Sequence, residues 1–168
     1  LIALRYGADL SSKEIGRIVG LKPGTVDVGI HRTLARLRDL LERPICGVMT
    51  TLLPDGQPHS CLVWVDHDGT HACVNTTLQR QGGRDLLADA RLNLLVVDPE
   101  DTGRFIQIRG EAELVRDGAV EHLDTLTRRY TRHPRYYGFV YPSEQAAREQ
   151  RVIVVIHARR VTLDAIHA

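Results

Sequence analysis

Two turn signals, Pro54-Asp55-Gly56 and His67-Asp68-Gly69, fix the course of the middle of this chain. Pro-Asp-Gly and Asp-Gly sequences reverse the backbone, and the flanking runs are rich in Val, Thr, Leu and Cys. Residues 45–53, 57–65 and 71–76 therefore read as three consecutive strands of a meander. Arg80 and Arg84 follow the third, with Gly82-Gly83 between them and a short helix over 85–90. A guanidinium presents a planar fork of donors that matches phosphate. A meander ending in arginines at a helix start is thus a candidate site for a phosphorylated cofactor.

Strand periodicity continues beyond this point. Residues 92–98 form an apolar run, and 104–115 alternate and carry Gly110, which marks a bulge or a close backbone approach. Residues 119–130 read as a helix with Val120, Leu123, Leu126 and Thr127 on one face. The stretch 132–142 is aromatic and irregular, either a cover for a pocket or a packed loop. Residues 152–157 and 160–166 close the chain as strands. Many antiparallel strands with few helices predict a mainly β, α+β fold built on a small barrel.

The first 42 residues have a different pattern. Ser11 and Glu14 form a capping box, and Ile15, Ile18 and Val19 recur at helical spacing. Gly20 supplies a left-handed helix end, Leu21 is placed to plug the corner, and Pro23 opens a second helix. Val26, Ile30, Leu34, Leu37 and Leu41 make one apolar stripe of that helix. The pattern is helix-turn-helix, and it divides the chain into a segment 1–42 and a barrel 43–168. Since no flexible linker separates them, the second helix is expected to lead directly into the barrel and pack on it through Leu37 and Leu41. Residues 1–43 hold eight Lys/Arg against five Asp/Glu, so any nucleic-acid contact belongs there, with Lys22, Thr25, Arg32 and Arg36 as candidates.

A hydrophobic fraction of 43% with 26% charged residues is that of a globular protein, and no apolar run approaches a membrane span. No signal-peptide pattern is visible, so the expected compartment is the cytoplasm. The three cysteines lack C-x-x-C spacing and the histidines are scattered, so no metal site is expected.

Two resemblances add to this reading. Arg5-Tyr6-Gly7, Leu10-Ser11, Glu14-Ile15, Gly20-Leu21, Gly24-Thr25-Val26 and His31-Arg32 resemble the promoter-reading C-terminal region of bacterial sigma factors. That family places basic or small polar residues after Thr-Val, where this chain has Asp27, Val28 and Gly29. An aspartate facing phosphates would repel them. From about residue 40 to 166 the chain resembles the flavin- and deazaflavin-binding split-barrel superfamily that includes pyridoxamine phosphate oxidase, nearest its deazaflavin-dependent branch. The residues that carry this are Thr50-Thr51-Leu52, Pro54-Asp55-Gly56, Val63-Trp64-Val65, Val74-Asn75-Thr76, Arg80-Gln81, Arg84, Asp98-Pro99 and Arg109-Gly110.

The superfamily resemblance implies a homodimer with cofactor at its interface, and coenzyme F-420 (a deazaflavin), with FMN as the alternative, as cofactor. It implies an oxidoreductase moving hydride between reduced deazaflavin and a small organic substrate. The other reading is a DNA-binding regulator whose barrel senses flavin, deazaflavin or haem. By position, the cofactor-binding candidates are Ser60, Val63, Trp64, Asn75, Thr76, Arg80, Gln81, Gly82 and Arg84. Trp64 either shields the ring or fills the core. The family's phosphate lysine falls on Gly82 and its following asparagine on Asp85, which would cost roughly ten- to a hundredfold in affinity. Backbone N–H groups of Gly82-Gly83 are expected to offset part of that loss as an anion nest. No catalytic acid–base pair is legible, and hydride chemistry belongs to the cofactor.

Overall fold

The computed structural model describes residues 10–163, without the side chains of residues 32–34, 36 and 37. In chain order these form α1 (Ser12–Val19), α2 (Pro23–Glu42), β1 (Gly47–Leu52), β2 (Pro58–Val63), β3 (Val65–His67), β4 (Ala72–Thr77), α3 (Gln81–Ala88), β5 (Arg91–Val97), β6 (Phe105–Val115), α4 (Ala119–Thr131), a 3₁₀ turn (Ser143–Ala147) and β7 (Arg151–Leu163).

All seven strands belong to one antiparallel sheet in the order β2-β1-β5-β6-β7-β4-β3. β2 and β3 are its two edges, yet Trp64 alone separates them in sequence. Laid flat, six strand spacings would put those edges about 29 Å apart, whereas one residue advances the chain about 3.8 Å. The sheet must therefore curl until its edges meet, which makes it a split barrel. β6 and β7, the longest strands, are shared by both halves. The register between them shifts at Arg109/Gly110, and a Cβ on Gly110 would lie 2.2 Å from the carbonyl oxygen of His157. Gly110 is thus the close approach; the extra residue of the bulge is Arg159 on β7, opposite the Arg109/Gly110 step.

The barrel core is formed by Met49, Val65, Val74, Leu94, Val96, Ile106, Val154 and Ile156, with Leu40 and Leu41 of α2 closing one end. α2 runs unbroken from the turn after α1 to the barrel wall, as the absence of a linker predicts. Leu41 packs there; Leu34 and Leu37 lie outside the described side chains. The junction is also tied by ions. The buried Asp98 carboxylate accepts from Arg43 at 2.7 Å and from Arg104 at 3.0 Å, and Arg104 reaches Asp39 at 2.6 Å. The Arg43 hydrogen bond foremost, with the Glu100 N–H and the Arg104 charge, holds the Asp98 carboxyl below the ordinary carboxylate range. Tyr130 of α4 is a second tie: its hydroxyl takes the Val65 N–H at 2.9 Å and lies 2.8 Å from the Ile45 carbonyl.

α1 has the capping box read from Ser11 and Glu14, and Gly20 ends it at φ 72°. Its contact with α2 is narrower than the apolar pattern implies. Ile15, Val26 and Ile30 are buried together, but Ile18, Val19 and Leu21 are 62%, 40% and 42% exposed. Leu21 does not plug the corner. α1 packs on α2 through one side, and Ile18, Val19 and Leu21 stay exposed. Asp27 also differs from the sequence-based expectation: it accepts a hydrogen bond from the Ser12 hydroxyl in the first turn of α1, a tie between the two helices.

Two boundaries depart from the sequence reading. β7 is one strand where two were expected, because β6 pairs along its whole length and a bulge absorbs the irregularity; residues 164–166 lie outside the described part. α3 begins at Gln81 rather than 85, which places Gly82 and Gly83 in its first turn and Arg80 at its N-cap.

Candidate functional site

A cleft of about 390 Å³ opens where the sheet edges meet. β2 supplies His59, Cys61, Leu62 and Val63, and the edge-to-edge crossing supplies Trp64. β4 supplies Asn75 and Thr76; the start of α3 supplies Arg80, Gln81 and Gly82. Leu123 and Leu126 of α4, Tyr136 and Val140 of the aromatic loop, and Arg151 of β7 complete the wall. One end is cationic and polar, the other apolar and aromatic.

At the cationic end, α3 starts against the end of β4. Its first three N–H groups, on Gln81, Gly82 and Gly83, precede the first intrahelical acceptor and carry the positive end of the helix dipole. Both glycines are buried, and their missing side chains allow the packing. A Cβ on Gly83 would lie 2.1 Å from the Thr77 carbonyl oxygen, and one on Gly82 would lie 3.3 Å from Met49 Cε and 3.8 Å from Cys61 Sγ. Gly82 therefore answers first to the barrel wall beneath it. The Arg80 guanidinium lines the cleft with no hydrogen-bond or ion-pair partner among the described residues. Arg84 behaves differently although it sits four positions on: it bonds the Gln79 carbonyl, and Gln81 Oε1 at 2.6 Å, and does not line the cleft. Helical spacing brings the two arginines near each other, but the N-cap Arg80 is extended, so the two side chains diverge.

Asp85 is not the exposed negative charge that its family position suggests. It lies on the inward face of α3, 2% exposed, and accepts from Thr51 Oγ1 at 2.7 Å, Gln81 Nε2 at 2.6 Å and His59 Nδ1 at 3.1 Å. Burial alone would raise its carboxyl, but these hydrogen bonds outweigh burial and hold it below the ordinary range. His59 is the residue that sequence reasoning missed. The Pro54-Asp55-Gly56 hairpin sets His59 opposite Thr51, which was legible, whereas the arrival of Asp85 beneath them depends on how α3 docks.

Towards the apolar end, Trp64 stacks on Tyr130 with ring centroids 5.2 Å apart and meets the edge of Tyr136 at 6.1 Å. Asn75 donates to the Ala119 carbonyl at 2.7 Å. Arg151, also absent from the sequence candidates, is 6% exposed. It lies 4.8 Å from the Tyr136 ring and bonds Tyr137 Oη at 2.9 Å and Glu149 at 2.6 Å. Its partners are inside the protein, so it stiffens the wall. Burial pushes the Cys61 thiol up and keeps it protonated. Of the sequence candidates, Val63, Trp64, Asn75, Thr76, Arg80, Gln81 and Gly82 come together in this cleft. Ser60 points out of it, bonding Thr50 Oγ1 at 2.9 Å.

Comparison with known proteins bears on this architecture. The family model described as pyridoxamine 5'-phosphate oxidase matches residues 33–163. The chain belongs to that family. An "F420 Reductase" of known structure is 29% identical, with 74% of this chain and 94% of the reductase aligned at a TM-score of 0.62. A conserved hypothetical protein from Mycobacterium tuberculosis is also 29% identical, over 77% of this chain and 82% of its own, at TM-score 0.59. General Stress Protein 26 from Bacillus anthracis, 17% identical over 78% and 92% of the two chains at TM-score 0.54, shares the fold. Family membership carries with it flavin- or deazaflavin-type cofactor binding in general terms, without fixing the cofactor, substrate or reaction.

A separate, shorter likeness runs to a curated protein, the ECF RNA polymerase sigma factor ShbA of Streptomyces griseus: 44% identity over 43 residues, 26% of this chain. The chain spans 22% of that relative. Lys22, at the N-cap of α2, and Thr25 are exposed; the side chains of Arg32 and Arg36 lie outside the described set. No described helix is long and apolar enough to cross a membrane.

Proposed function

We propose that the cleft binds the phosphorylated cofactor coenzyme F-420, with FMN as the alternative, and that the protein uses it to transfer hydride to or from a small organic substrate. The observation that carries this reading is that the Arg80 guanidinium, without a partner among the described residues, lies beside the first-turn N–H groups of α3, at one end of a cleft whose other end is aromatic. Arg80, Gln81, Gly82 and the α3 N–H groups would hold the phosphate. Trp64, Val63 and Leu126 would line the ring, with Asn75 and Thr76 between. When bound, a reduced deazaflavin supplies hydride; the protein orients it and keeps water away. The lysine replaced by Gly82 is offset in part by Arg80 and the helix start, and the Asp85 carboxylate is turned inward, its oxygens held by Thr51, Gln81 and His59.

The cleft is open on the side of β2, where Leu62 is 76% exposed. We place a second copy of the chain there, closing the site in a homodimer. Residues 1–42 would act as a helical appendage of the barrel, their last turn being part of its wall.

The likeness to a sigma factor supports a second reading, a DNA-binding regulator whose barrel senses a flavin, deazaflavin or haem, with Lys22, Thr25, Arg32 and Arg36 on DNA. One titration separates the two. Protein is mixed with coenzyme F-420, FMN and haem, followed by fluorescence and absorbance, with and without duplex DNA. Saturable F-420 or FMN binding that DNA does not alter supports the oxidoreductase. DNA binding that shifts with cofactor supports the regulator, and no flavin or deazaflavin binding defeats the first reading.

A further inference from the structure

His59 lines the cationic end of the cleft together with Arg80, Gln81 and Gly82, and its ring is held from below. Nδ1 meets Asp85 Oδ2 at 3.1 Å, between β2 and α3. Asp85 is buried, and Thr51 Oγ1 at 2.7 Å and Gln81 Nε2 at 2.6 Å donate to its two oxygens. These bonds outweigh burial and keep the carboxyl below the ordinary range, so it is ionised and only accepts. Nδ1 of His59 therefore carries a proton. In a neutral imidazole the second nitrogen is then a bare acceptor. That nitrogen, Nε2, lies on the ring edge away from Asp85 and has no hydrogen-bond partner among the described residues. A phosphate oxygen also only accepts, so it and a bare Nε2 repel each other. Once the ring takes up a second proton, Nε2 becomes a charged donor, and a charge-assisted bond to phosphate forms.

We infer that His59 is a further phosphate-binding residue of this site, that it binds only as imidazolium, and that cofactor binding is therefore coupled to uptake of one proton from solvent. This rests on the reading of the cleft as a phosphorylated-cofactor site. Asp85 is the positioning residue: by fixing the tautomer it makes the coupling obligatory. The phosphate then meets two cations from different elements, Arg80 at the start of α3 and His59 on β2, and the buried carboxylate has a role that the cleft's other contacts do not give it. The His59 side chain is 28% exposed, so its proton exchanges with solvent. An imidazole changes charge between pH 5 and 8. The contact is complete at the acid end of that range and lost as pH rises, so the site releases its cofactor towards alkaline pH. The titratable and charged groups that face the ring are Asp85 of α3, Arg80 at the α3 N-cap and Cys61 of β2, whose thiol burial keeps protonated. β1 contributes only the hydroxyl of Thr51, and Arg151 of β7, elsewhere in the cleft wall, is paired with Glu149.

The test compares wild type, His59→Leu and Asp85→Asn, each first checked for folding by thermal melting. Affinities for F-420, and for the deazaflavin riboside that lacks its phosphate, are measured by fluorescence from pH 6 to pH 9. The ratio of two proteins at one pH cancels the titration of the coenzyme itself. At pH 6 we expect His59→Leu to bind F-420 more weakly than wild type by roughly ten- to a hundredfold, the worth of one charge-assisted hydrogen bond. By pH 9 the two should agree within about threefold, because the imidazolium is gone; the phosphate-free riboside should bind both alike throughout. Asp85→Asn sets an amide N–H against Nδ1 and moves the proton of the neutral ring to Nε2. Its F-420 affinity should then lose most of its dependence on pH, which loss of a merely structural contact would not bring about. If either variant does not fold, the ¹⁵N-histidine spectrum of wild type decides: saturation with F-420 at pH 7.5 should convert one histidine from the Nδ1–H form to imidazolium. A His59→Leu protein that binds F-420 within about twofold of wild type at pH 6, an equal loss of F-420 and riboside, or an unchanged histidine spectrum overturns the phosphate role and leaves the cofactor reading intact. Wild type that binds neither F-420 nor FMN overturns that reading and this one with it.

Discussion

Replacing Gly83 by alanine adds one methyl group at the point where the cleft's cationic end is assembled. The new Cβ would lie 2.1 Å from the Thr77 carbonyl oxygen, 2.9 Å from its carbon and 3.1 Å from Leu78 Cα. An ordinary C···O contact is about 3.3 Å, so the first turn of α3 must move about 1.2 Å from the end of β4. All three obstacles are backbone, fixed by the pairing of Thr77 with Arg151 and by the Leu78 N–H bond to the Gln150 carbonyl. No rotamer change can relieve them. Overpacking of this kind costs about 1–3 kcal/mol, which for a chain of this size lowers the melting midpoint by about 2–12 °C. A shift of about 1 Å in a binding element can also reduce a positioned interaction by about a hundredfold. Circular-dichroism melting and F-420 titration of Gly83→Ala are therefore predicted to fall together. Gly82→Ala is the control: its Cβ meets the flexible end of Met49 at 3.3 Å, so its melting midpoint should stay within about 3 °C of wild type. Equal melting of Gly83→Ala and wild type, with unchanged F-420 affinity, would refute the argument that the helix start is wedged against β4.

Further outcomes follow from other contacts. Arg80→Ala should weaken F-420 by roughly ten- to a hundredfold, the worth of one charge-assisted hydrogen bond, with no change in melting, because no described residue relies on that side chain; fluorescence titration and a melt read both. Tyr130→Phe strips the Val65 N–H of its acceptor and should destabilise by about 1–3 kcal/mol in urea unfolding, while leaving the stack with Trp64 in place. The Asp98 carboxyl is lowered in the folded protein, so its contribution is complete above the unfolded value of about 3.9 and is lost as pH falls through the folded value. Melting followed from pH 7 downward should hold steady and then drop below about pH 4; Asp98→Asn should melt lower at neutral pH and show a shallower acid decline. The same acid slope in both proteins would show that the Arg43–Asp98–Arg104 tie is not what acid breaks.

Local signals were legible where chemistry is local. The Ser11–Glu14 capping box, the turns at Gly56 and Gly69, the close approach at Gly110 and the unbroken α2 all follow from short-range rules of backbone conformation. Seven of the nine cofactor candidates line one cleft because they flank the meander whose turns dictate its path. What was not legible depends on docking between distant elements. Asp85 meets Thr51 and His59 only because α3 packs against the first hairpin, and Arg151 reaches the aromatic loop only because β7 pairs with β4. Arg80 and Arg84 diverge because the helix starts four residues earlier than its apolar pattern shows. That Gly82 and Gly83 are buried was not legible, because a sequence does not reveal how closely a helix approaches a strand.

The account stands most directly on where the cofactor's phosphate sits. Amide chemical shifts of ¹⁵N-labelled protein, recorded as coenzyme F-420 is added, report that position residue by residue. The predicted result is saturable displacement of the Gln81, Gly82 and Gly83 amides together with the Trp64 indole, lost in Arg80→Ala at the same cofactor concentration. Displacements confined to a second groove, lined by Thr50 of β1, Asn93 of β5 and Arg109 of β6, or no saturable change at α3, would contradict it.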